Sequence, residues 1–230
     1  MMNKHDQIKA FVKEELEIFG GPLYMPETTQ ETDMEKTSVS SDVKTLSEFN
    51  SAIENCMNCP LGATRTNFVF GAGNPDADIM FVGEAPGEKE DLEGLPFVGR
   101  SGKLLTDILK AIDLTREDVY IANILKCRPP NNRDPNKAEI EECEQYLLKQ
   151  IEMIKPKLLV ALGRISATTL LRTKDSLTSM RGQVFDYHGT DMVVTYHPAA
   201  LLRNPNWKRP AWEDFKKIRE MYLEKRGEQA

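Results

Sequence analysis

Residues 78–87 read Asp-Ile-Met-Phe-Val-Gly-Glu-Ala-Pro-Gly, a short apolar run that ends in a glycine turn. A continuous apolar run of this length is typical of a strand buried on both faces of a parallel sheet. Similar runs occur at residues 119–125, 157–162 and 192–196. Because helical patterns separate these runs, the sequence predicts an α/β fold with a four-stranded parallel sheet covered on both faces.

The helical patterns have apolar residues three and four positions apart, and they cover residues 103–112, 137–154, 163–171 and 212–225. Ahead of the first strand, an amphipathic stretch is followed by a segment rich in Thr, Glu, Ser and Asp, which cannot bury enough apolar surface to fold. We therefore expect an N-terminal helix with a flexible linker over residues 1–45, and a globular domain over residues 46–230. The helix is expected to pack on the domain or to dock a protein partner.

The composition excludes several classes of protein. The chain has 230 residues, 40% hydrophobic and 29% charged, enough to bury a core without disulfides. It contains no apolar run long enough to span a membrane, and its first residues lack the apolar segment of a signal peptide, so we expect a cytoplasmic protein. A net charge of −6 excludes a uniformly basic nucleic-acid coat but allows a local basic groove.

Polar, proline-containing loops follow three of the four predicted strands. They cover residues 83–91, 126–133 and 197–205. In open α/β sheets, ligands bind beyond the carboxyl ends of the strands. We therefore expect the three loops to meet at one edge of the sheet and to form the functional site.

Four cysteines have the pattern Cys56-x2-Cys59-x67-Cys127-x15-Cys143. A Cys-x-x-Cys pair can direct two thiolates at one metal centre, and two further thiolates complete a zinc site or an iron–sulfur cluster. The wide and unequal spacing favours a cubane cluster over zinc. Zinc, or four unrelated buried cysteines, remain alternatives.

These motifs, taken in order, resemble the family 4 uracil-DNA glycosylases, the iron–sulfur branch of that superfamily. The matching segments are Gly83–Gly87, Glu90-Asp91, residues 94–99, Asn123, residues 127–130, Asn132-Arg133 and residues 197–202, together with the cysteine spacing. The resemblance implies a three-layer α/β/α sandwich, a 4Fe-4S cluster and hydrolysis of the bond that joins uracil to deoxyribose in DNA. Uracil in a duplex is unreachable, so the nucleotide has to be extruded into a pocket.

The resemblance also implies residues that bind the extruded base. Phe97 would stack on uracil, and the Asn123 amide would read N3 and O4, where cytosine has the opposite pattern of donor and acceptor. Backbone amides of residues 83–85, Gly83, Glu84 and Ala85, would hold the base carbonyls. His197 would donate to O2 as negative charge grows there. The alternatives are a core phenylalanine, an asparagine capping a turn and a structural histidine.

The residue that handles the attacking water is open. Other branches of the superfamily place an aspartate two residues after the first motif glycine, whereas this chain has Ala85 there. Glu84, Glu90 and Asn132 are the candidates by position in the family's motifs, and a carboxylate could orient water or screen the sugar cation. Alternatively, Glu90 is a solvated loop acid and Asn132 a turn residue.

Contacts to DNA are expected from a local basic patch. Its members on or near the strand-end loops are Arg128, Arg133, Arg203, Lys126, Lys208 and Arg209. Leu201 or Leu202 would fill the gap left by the extruded base, unless the two leucines only begin a buried helix.

The resulting hypothesis is a monomeric, monofunctional glycosylase, since no lysine is placed as a Schiff-base nucleophile. The alternative is a non-enzymatic iron–sulfur protein that binds DNA or transfers electrons. A third class, relatives that trap uracil covalently through a histidine, carries a basic insertion that this chain lacks after Asn132.

Overall fold

The four apolar runs form the centre of one sheet in the computed structural model, which describes residues 43–227. The strands are β1 (Ala72–Gly73), β2 (Ile79–Gly83), β3 (Tyr120–Asn123), β4 (Leu158–Leu162), β5 (Val184–Tyr187) and β6 (Thr190–Thr195). The helices are α1 (Leu46–Ile53), α2 (Glu88–Glu93), α3 (Arg100–Ala111), α4 (Lys137–Ile154), α5 (Arg164–Leu171), α6 (Leu177–Met180), α7 (Pro198–Arg203) and α8 (Lys208–Arg226). Short 3-10 turns cover Pro60–Ala63, Pro130–Asn132 and Pro205–Trp207.

The strand order is β1-β3-β2-β4-β6-β5, and the four central strands, β3, β2, β4 and β6, run parallel. The predicted α/β fold is confirmed, but the sheet has six strands where the sequence predicted four. The two additional strands are antiparallel edges. β1 has only two residues and β5 is largely exposed, so neither carries the continuous apolar run that marks a buried strand.

The side chains of β2 point alternately into two separate cores. Met80 and Val82 pack with helices α1, α4 and α5 on one face. Ile79 and Phe81 pack with α3 and α8 on the other face. The result is the expected three-layer α/β/α arrangement, in which a sheet buried on both sides holds its carboxyl edge rigidly.

The predicted helices occur close to their expected positions. Helix α4 has the predicted bounds, and its start is capped by reciprocal hydrogen bonds between Asn136 and Glu139. Helix α8 begins at Lys208, four residues before the predicted start. Pro210 lies in its first turn, where proline is tolerated because that turn needs no N–H donors.

The predicted N-terminal helix, and nearly all of the linker up to residue 45, lie outside the described residues. All of the described residues belong to one compact unit of the chain, residues 36–230. Within the described part, no helix has both the length and the apolar character needed to cross a membrane.

Candidate active site

A cleft of about 630 Å³ lies at the carboxyl edge of the sheet. Its walls come from the segments that follow β2, β3, β4 and β6. The three polar loops therefore meet as the sequence predicted. The expected residues that line the cleft are Glu84, Ala85, Glu90, Phe97, Asn123, Asn132, Arg133, His197 and Arg203.

Phe97, Asn123 and His197 lie together in this cleft. A methyl group on Gly83 would lie 2.7 Å from Cζ of Phe97 and would overlap Oδ1 of Asn123, so both side chains meet over that glycine. The ring centroids of Phe97 and His197 are 5.4 Å apart. One aromatic face, one amide and one imidazole are thus close enough to contact the same planar ligand.

The loop that carries Phe97 is held from two sides. Oε1 of Glu90 accepts hydrogen bonds from the N–H groups of Val98 at 3.0 Å and Gly99 at 2.9 Å. The Arg116 guanidinium donates to the Phe97 carbonyl at 3.1 Å and also to the preceding carbonyl. Phe97 has a φ of 54°, which is uncommon for a bulky residue and is retained only where the surroundings impose it.

Asn123 is the last residue of β3, and its side chain is 2% exposed. Its Oδ1 atom has no hydrogen-bond partner among the described residues. Leaving a buried polar atom unpaired costs about 1–3 kcal/mol, so such an atom indicates a place where a ligand supplies the missing bond.

Lys126 supports the strand end that carries Asn123. Its Nζ atom donates to the Asn123 carbonyl at 2.8 Å and to Oε1 of Gln150 at 2.6 Å. Burial lowers the pKa of Lys126 to about 8. The prediction that Lys126 contacts DNA is wrong, because its side chain is wholly buried beneath the cleft.

His197 follows β6 and caps helix α7. Its Nδ1 atom accepts a hydrogen bond from the Ala199 N–H at 3.1 Å, which leaves the ring proton on Nε2. Burial lowers the pKa of His197 to about 4; Arg203 lowers it further, and Glu90 opposes the shift. The imidazole is therefore neutral near pH 7 and still has one N–H to donate.

The three candidates for handling water have different surroundings. Burial raises the pKa of Glu84 to about 7, Asp134 adds to the rise, and Arg164 and Arg203 oppose it. Glu90 is buried and already holds the Phe97 loop. Asn132 lies on the rim, where its Oδ1 atom accepts from Nε of Arg128 at 2.8 Å.

Comparison with known proteins identifies the family to which this fold belongs. The family model "Uracil DNA glycosylase superfamily" matches residues 70–216. The type-4 uracil-DNA glycosylase of Archaeoglobus fulgidus is 46% identical over 187 residues, which cover 78% of this chain and 94% of the relative. The chain belongs to the uracil-DNA glycosylase superfamily, in its type-4 family.

Two further type-4 glycosylases support this assignment. The enzyme of Sulfurisphaera tokodaii is 50% identical and covers 77% of this chain and 85% of its own length. The enzyme of Thermotoga maritima is 46% identical and covers 76% of this chain and 93% of its own length. The family resemblance drawn from the motifs is therefore confirmed.

The residues expected to bind DNA are not equally available in this type-4 family member. Leu201 is 2% exposed and packs with Tyr196 and Ala211, so it cannot enter a DNA stack, and the prediction for this leucine is wrong. Leu202, at 42% exposed, is free to do so. Arg133 forms two hydrogen bonds with Glu139, at 2.9 and 2.6 Å, which offset its charge.

Arg203 remains exposed beside the cleft, whereas Arg128 is half-buried against Asn132. Trp207 also lines the cleft, although the sequence interpretation did not single it out. The only signal at sequence level is an aromatic residue directly before Lys208 and Arg209. Such a short pattern does not reveal that the ring reaches the same cleft as Phe97.

The four cysteines are free thiols in the structure. They are close enough to influence one another's pKa values. Burial raises the pKa of Cys127 to about 11, and nearby Cys59 and Cys56 add to the rise. Burial likewise raises the pKa of Cys143 to about 12, with contributions from Cys127 and Cys59. Over residues 43–227, no three Cys, His, Asp or Glu side chains are spaced to hold a single metal ion.

Several donors point at the sulfur atoms. The Tyr146 hydroxyl donates to Sγ of Cys56 at 3.0 Å, and the Lys126 backbone N–H donates to Sγ of Cys143 at 3.2 Å. Nη1 of Arg65 lies 3.5 Å from Sγ of Cys127. Donors of this kind stabilise thiolates, the form in which cysteine binds metal.

Proposed function

We propose that this chain hydrolyses the N-glycosidic bond of uracil in DNA, releasing free uracil and leaving an abasic site. The observation that carries the proposal is the buried Oδ1 atom of Asn123, which has no partner in the described part of the chain and lies in a cleft shared with Phe97 and His197. An electron carrier has no need of such an arrangement. The names of the type-4 relatives support the same activity.

Recognition of uracil rests on the Asn123 amide. Uracil presents a donor at N3 and an acceptor at O4, so Oδ1 accepts from N3 and Nδ2 donates to O4. Cytosine presents an acceptor at N3 and a donor at C4, and would leave both atoms of the amide unpaired. Rejection of an unpaired base is strong in a buried site because no water replaces the lost bonds. Phe97 stacks on the face of the base.

His197 and the loop after β2 stabilise the departing base. When the bond between C1′ and N1 breaks, its electron pair leaves with uracil, and negative charge spreads to O2. The neutral His197 donates its Nε2 proton in a hydrogen bond to O2, while backbone N–H groups near Glu84 and Ala85 hold the base carbonyls. Donors already in place stabilise the transition state without reorganisation.

Glu84 handles the attacking water. In its ionised form it orients a water molecule toward C1′ and offsets the positive charge that develops on the sugar. The water oxygen bonds to C1′ and one water proton passes to the Glu84 carboxylate. The same proton is then transferred from Glu84 through solvent to N1 of the uracil anion, which restores the ionised carboxylate. Glu90 positions the Phe97 loop, because its carboxylate is occupied by backbone N–H groups.

We further propose that Cys56, Cys59, Cys127 and Cys143 hold a 4Fe-4S cluster. Cys127 and Cys143 are each close enough to Cys59 to influence its electrostatics, yet no three of the described side chains are spaced to hold one ion as a zinc site requires. In a cubane each thiolate binds its own iron, so wider spacing fits the cluster better than zinc. When bound, the cluster ties α4 and the segment after α1 to the loop that follows β3.

The expected partner is uracil-containing DNA, bound through exposed cations such as Arg203 without strand cleavage. We propose that the chain acts as a monomer in the cytoplasm, where a reducing environment suits cysteines that form no disulfide. A protein partner for residues 1–45 stays a prediction.

The test is a direct assay for free uracil. The holoprotein is incubated with a single-stranded oligonucleotide that contains one deoxyuridine, and the released base is measured by chromatography, with alkaline cleavage at the abasic site as a second readout. An oligonucleotide with thymine at the same position is the control. Release of uracil that is lost in Asn123→Ala supports the proposal. No release from the intact protein, with DNA binding retained, would favour the non-enzymatic alternative.

A further inference from the structure

Trp207 forms the outer layer of a stack at the mouth of the cleft. Its ring lies on Tyr196 with centroids 5.1 Å apart and an interplanar angle of 17°. Arg181 packs on Tyr196 as well, its guanidinium carbon 4.2 Å from the ring centroid. Within residues 43–227, no second ring or cation covers Trp207, which is 40% exposed.

The layers behind Trp207 are held firmly. Arg181 forms two hydrogen bonds with Asp214, at 2.7 and 2.9 Å, and Asp214 also accepts from the Thr195 hydroxyl at 2.6 Å. Arg181 donates in addition to the Tyr196 hydroxyl at 3.1 Å. Because its support is rigid, the indole loses little further freedom when a planar ligand stacks on its open face.

The surroundings of Trp207 suit a polyanion. Lys208 and Arg209 follow it directly, both are exposed, and neither has an ion-pair partner in the described part of the chain. Arg203 lines the same cleft as Trp207. An aromatic platform flanked by unpaired cations is the arrangement with which proteins bind single-stranded nucleic acid, stacking the bases while neutralising phosphates.

We propose that Trp207 stacks on the nucleobase next to the extruded uridine, in single-stranded or locally unstacked DNA. The inference rests on the proposed DNA substrate and adds a second base-binding subsite at the mouth of the cleft. The path of the DNA strand supports this occupant. A strand whose uracil lies against Phe97 has to leave the cleft along its walls, and Trp207 is part of those walls. A paired and stacked neighbour has no free face to offer, so this subsite favours single strands.

The chain has two tryptophans, which allows a direct measurement. Trp212→Phe leaves Trp207 as the only tryptophan, and Trp207→Phe leaves Trp212, which is similarly exposed at 38% but does not line the cleft. The probe is a single-stranded oligonucleotide with one 2′-fluoro-deoxyuridine, since fluorine slows bond cleavage by destabilising the sugar cation. We expect strong quenching of Trp207 fluorescence and little change for Trp212.

Affinity supplies the second readout. Trp207→Ala is expected to weaken binding of the same probe about tenfold, equivalent to about 1.4 kcal/mol, the contribution of one base–aromatic stack. Trp207→Phe keeps a ring and recovers most of the loss. Trp212→Ala is the matched control and leaves affinity unchanged.

The subsite would be overturned if Trp207 fluorescence were not quenched, or if Trp207→Ala and Trp212→Ala bound the probe with equal affinity. Trp207 would then serve only to pack on Tyr196. The fluorescence arm retains the tryptophan, so it holds even if Trp207→Ala does not fold. Uracil release by the unsubstituted chain is measured in parallel. Release without any Trp207 effect overturns the subsite alone, whereas absence of release overturns the proposed function.

Discussion

At the scale of single residues, the proposed pocket depends on the Asn123 amide, whose oxygen is buried without a partner within residues 43–227. Strand pairing of β3 and the Lys126 ammonium hold Asn123 in place through its backbone, so the side chain remains available to a base. The amide can therefore distinguish two pyrimidines that differ only in the order of donor and acceptor.

Asn123→Asp changes that order. A carboxylate can accept from the exocyclic amine of cytosine but cannot donate to O4 of uracil. We expect uracil release to fall roughly 100-fold and cytosine release to become detectable, because a polar group left unpaired in a buried site weakens binding of the transition state. Both bases are measured from matched oligonucleotides. Unchanged release of uracil, with none of cytosine, would contradict the assignment.

The raised pKa of Glu84 gives the reaction a specific dependence on pH. In the proposed mechanism the ionised carboxylate is the active form, so the single-turnover rate should rise with pH and level off above the Glu84 pKa of about 7. His197, with its pKa lowered to about 4, is neutral throughout this range and adds no transition to the pH profile. Glu84→Gln should be slower by about 10²-fold or more and should lack the transition. A transition that persists in Glu84→Gln would assign it to another group.

Burial of His197 also affects stability. Its folded pKa of about 4 lies below the ordinary value of 6.5, so the unfolded chain binds the proton more readily between these values. Above pH 6.5 the histidine is neutral in both the folded and the unfolded chain, so its burial costs no stability. As the pH falls toward 4, the free energy of unfolding decreases, because the unfolded chain takes up a proton that the folded chain does not.

At the scale of elements, helix α2 supports the loop that carries the stacking ring. The Glu90 carboxylate of this helix accepts hydrogen bonds from two loop N–H groups, those of Val98 and Gly99. Gly102, in the first turn of α3, lets the Phe97 carbonyl come close to the helix, since a side chain there would overlap it. The loop geometry is thus set by two helices that flank it.

Glu90→Ala removes the acceptor for both N–H groups. We expect a loss of about 1–3 kcal/mol in the free energy of unfolding and a larger relative loss in uracil release, because Phe97 is displaced. Urea unfolding and single-turnover kinetics measure the two effects. Glu88→Ala, at an exposed position of the same helix, is the control. Equal behaviour of the two variants would remove Glu90 from this role.

The central elements were predictable because each leaves a clear trace in the sequence. Buried strands appear as apolar runs, and Asn123 and His197 follow such runs directly. The edge strands leave no such trace, since β1 has two residues and β5 is half-covered. Leu201 and Leu202 are adjacent in a six-residue helix, too short for periodicity to show which one faces the core. The burial of Lys126 depends on Gln150, a partner 24 positions away that no local pattern identifies.

At the scale of the whole molecule, the four cysteines lie on segments that are far apart in the chain. Cys127 lies four residues beyond Asn123, so the proposed cluster and the base-reading amide share one short segment. Loss of the cluster should therefore be felt in stability first and in base recognition as a consequence.

Cys143→Ser tests this connection. We expect loss of bound iron and sulfide, loss of the visible absorbance of the cluster and a lower Tm. Tyr146→Phe is the control, because it removes a hydrogen bond to Cys56 but keeps all four thiols. It should retain iron and shift the reduction potential. Full iron content in Cys143→Ser would exclude this cysteine as a ligand.

The pinned Phe97 loop has a consequence for the substrate. Hydrogen bonds that Glu90 accepts and Arg116 donates leave the stacking ring little room to adapt. Because the pocket is rigid, the DNA has to deform to place its base there. The rate of excision should therefore depend on how easily the surrounding DNA sequence is deformed. Lesions beside mismatches or pliable pyrimidine–purine steps would be removed before those in stiff A-tracts.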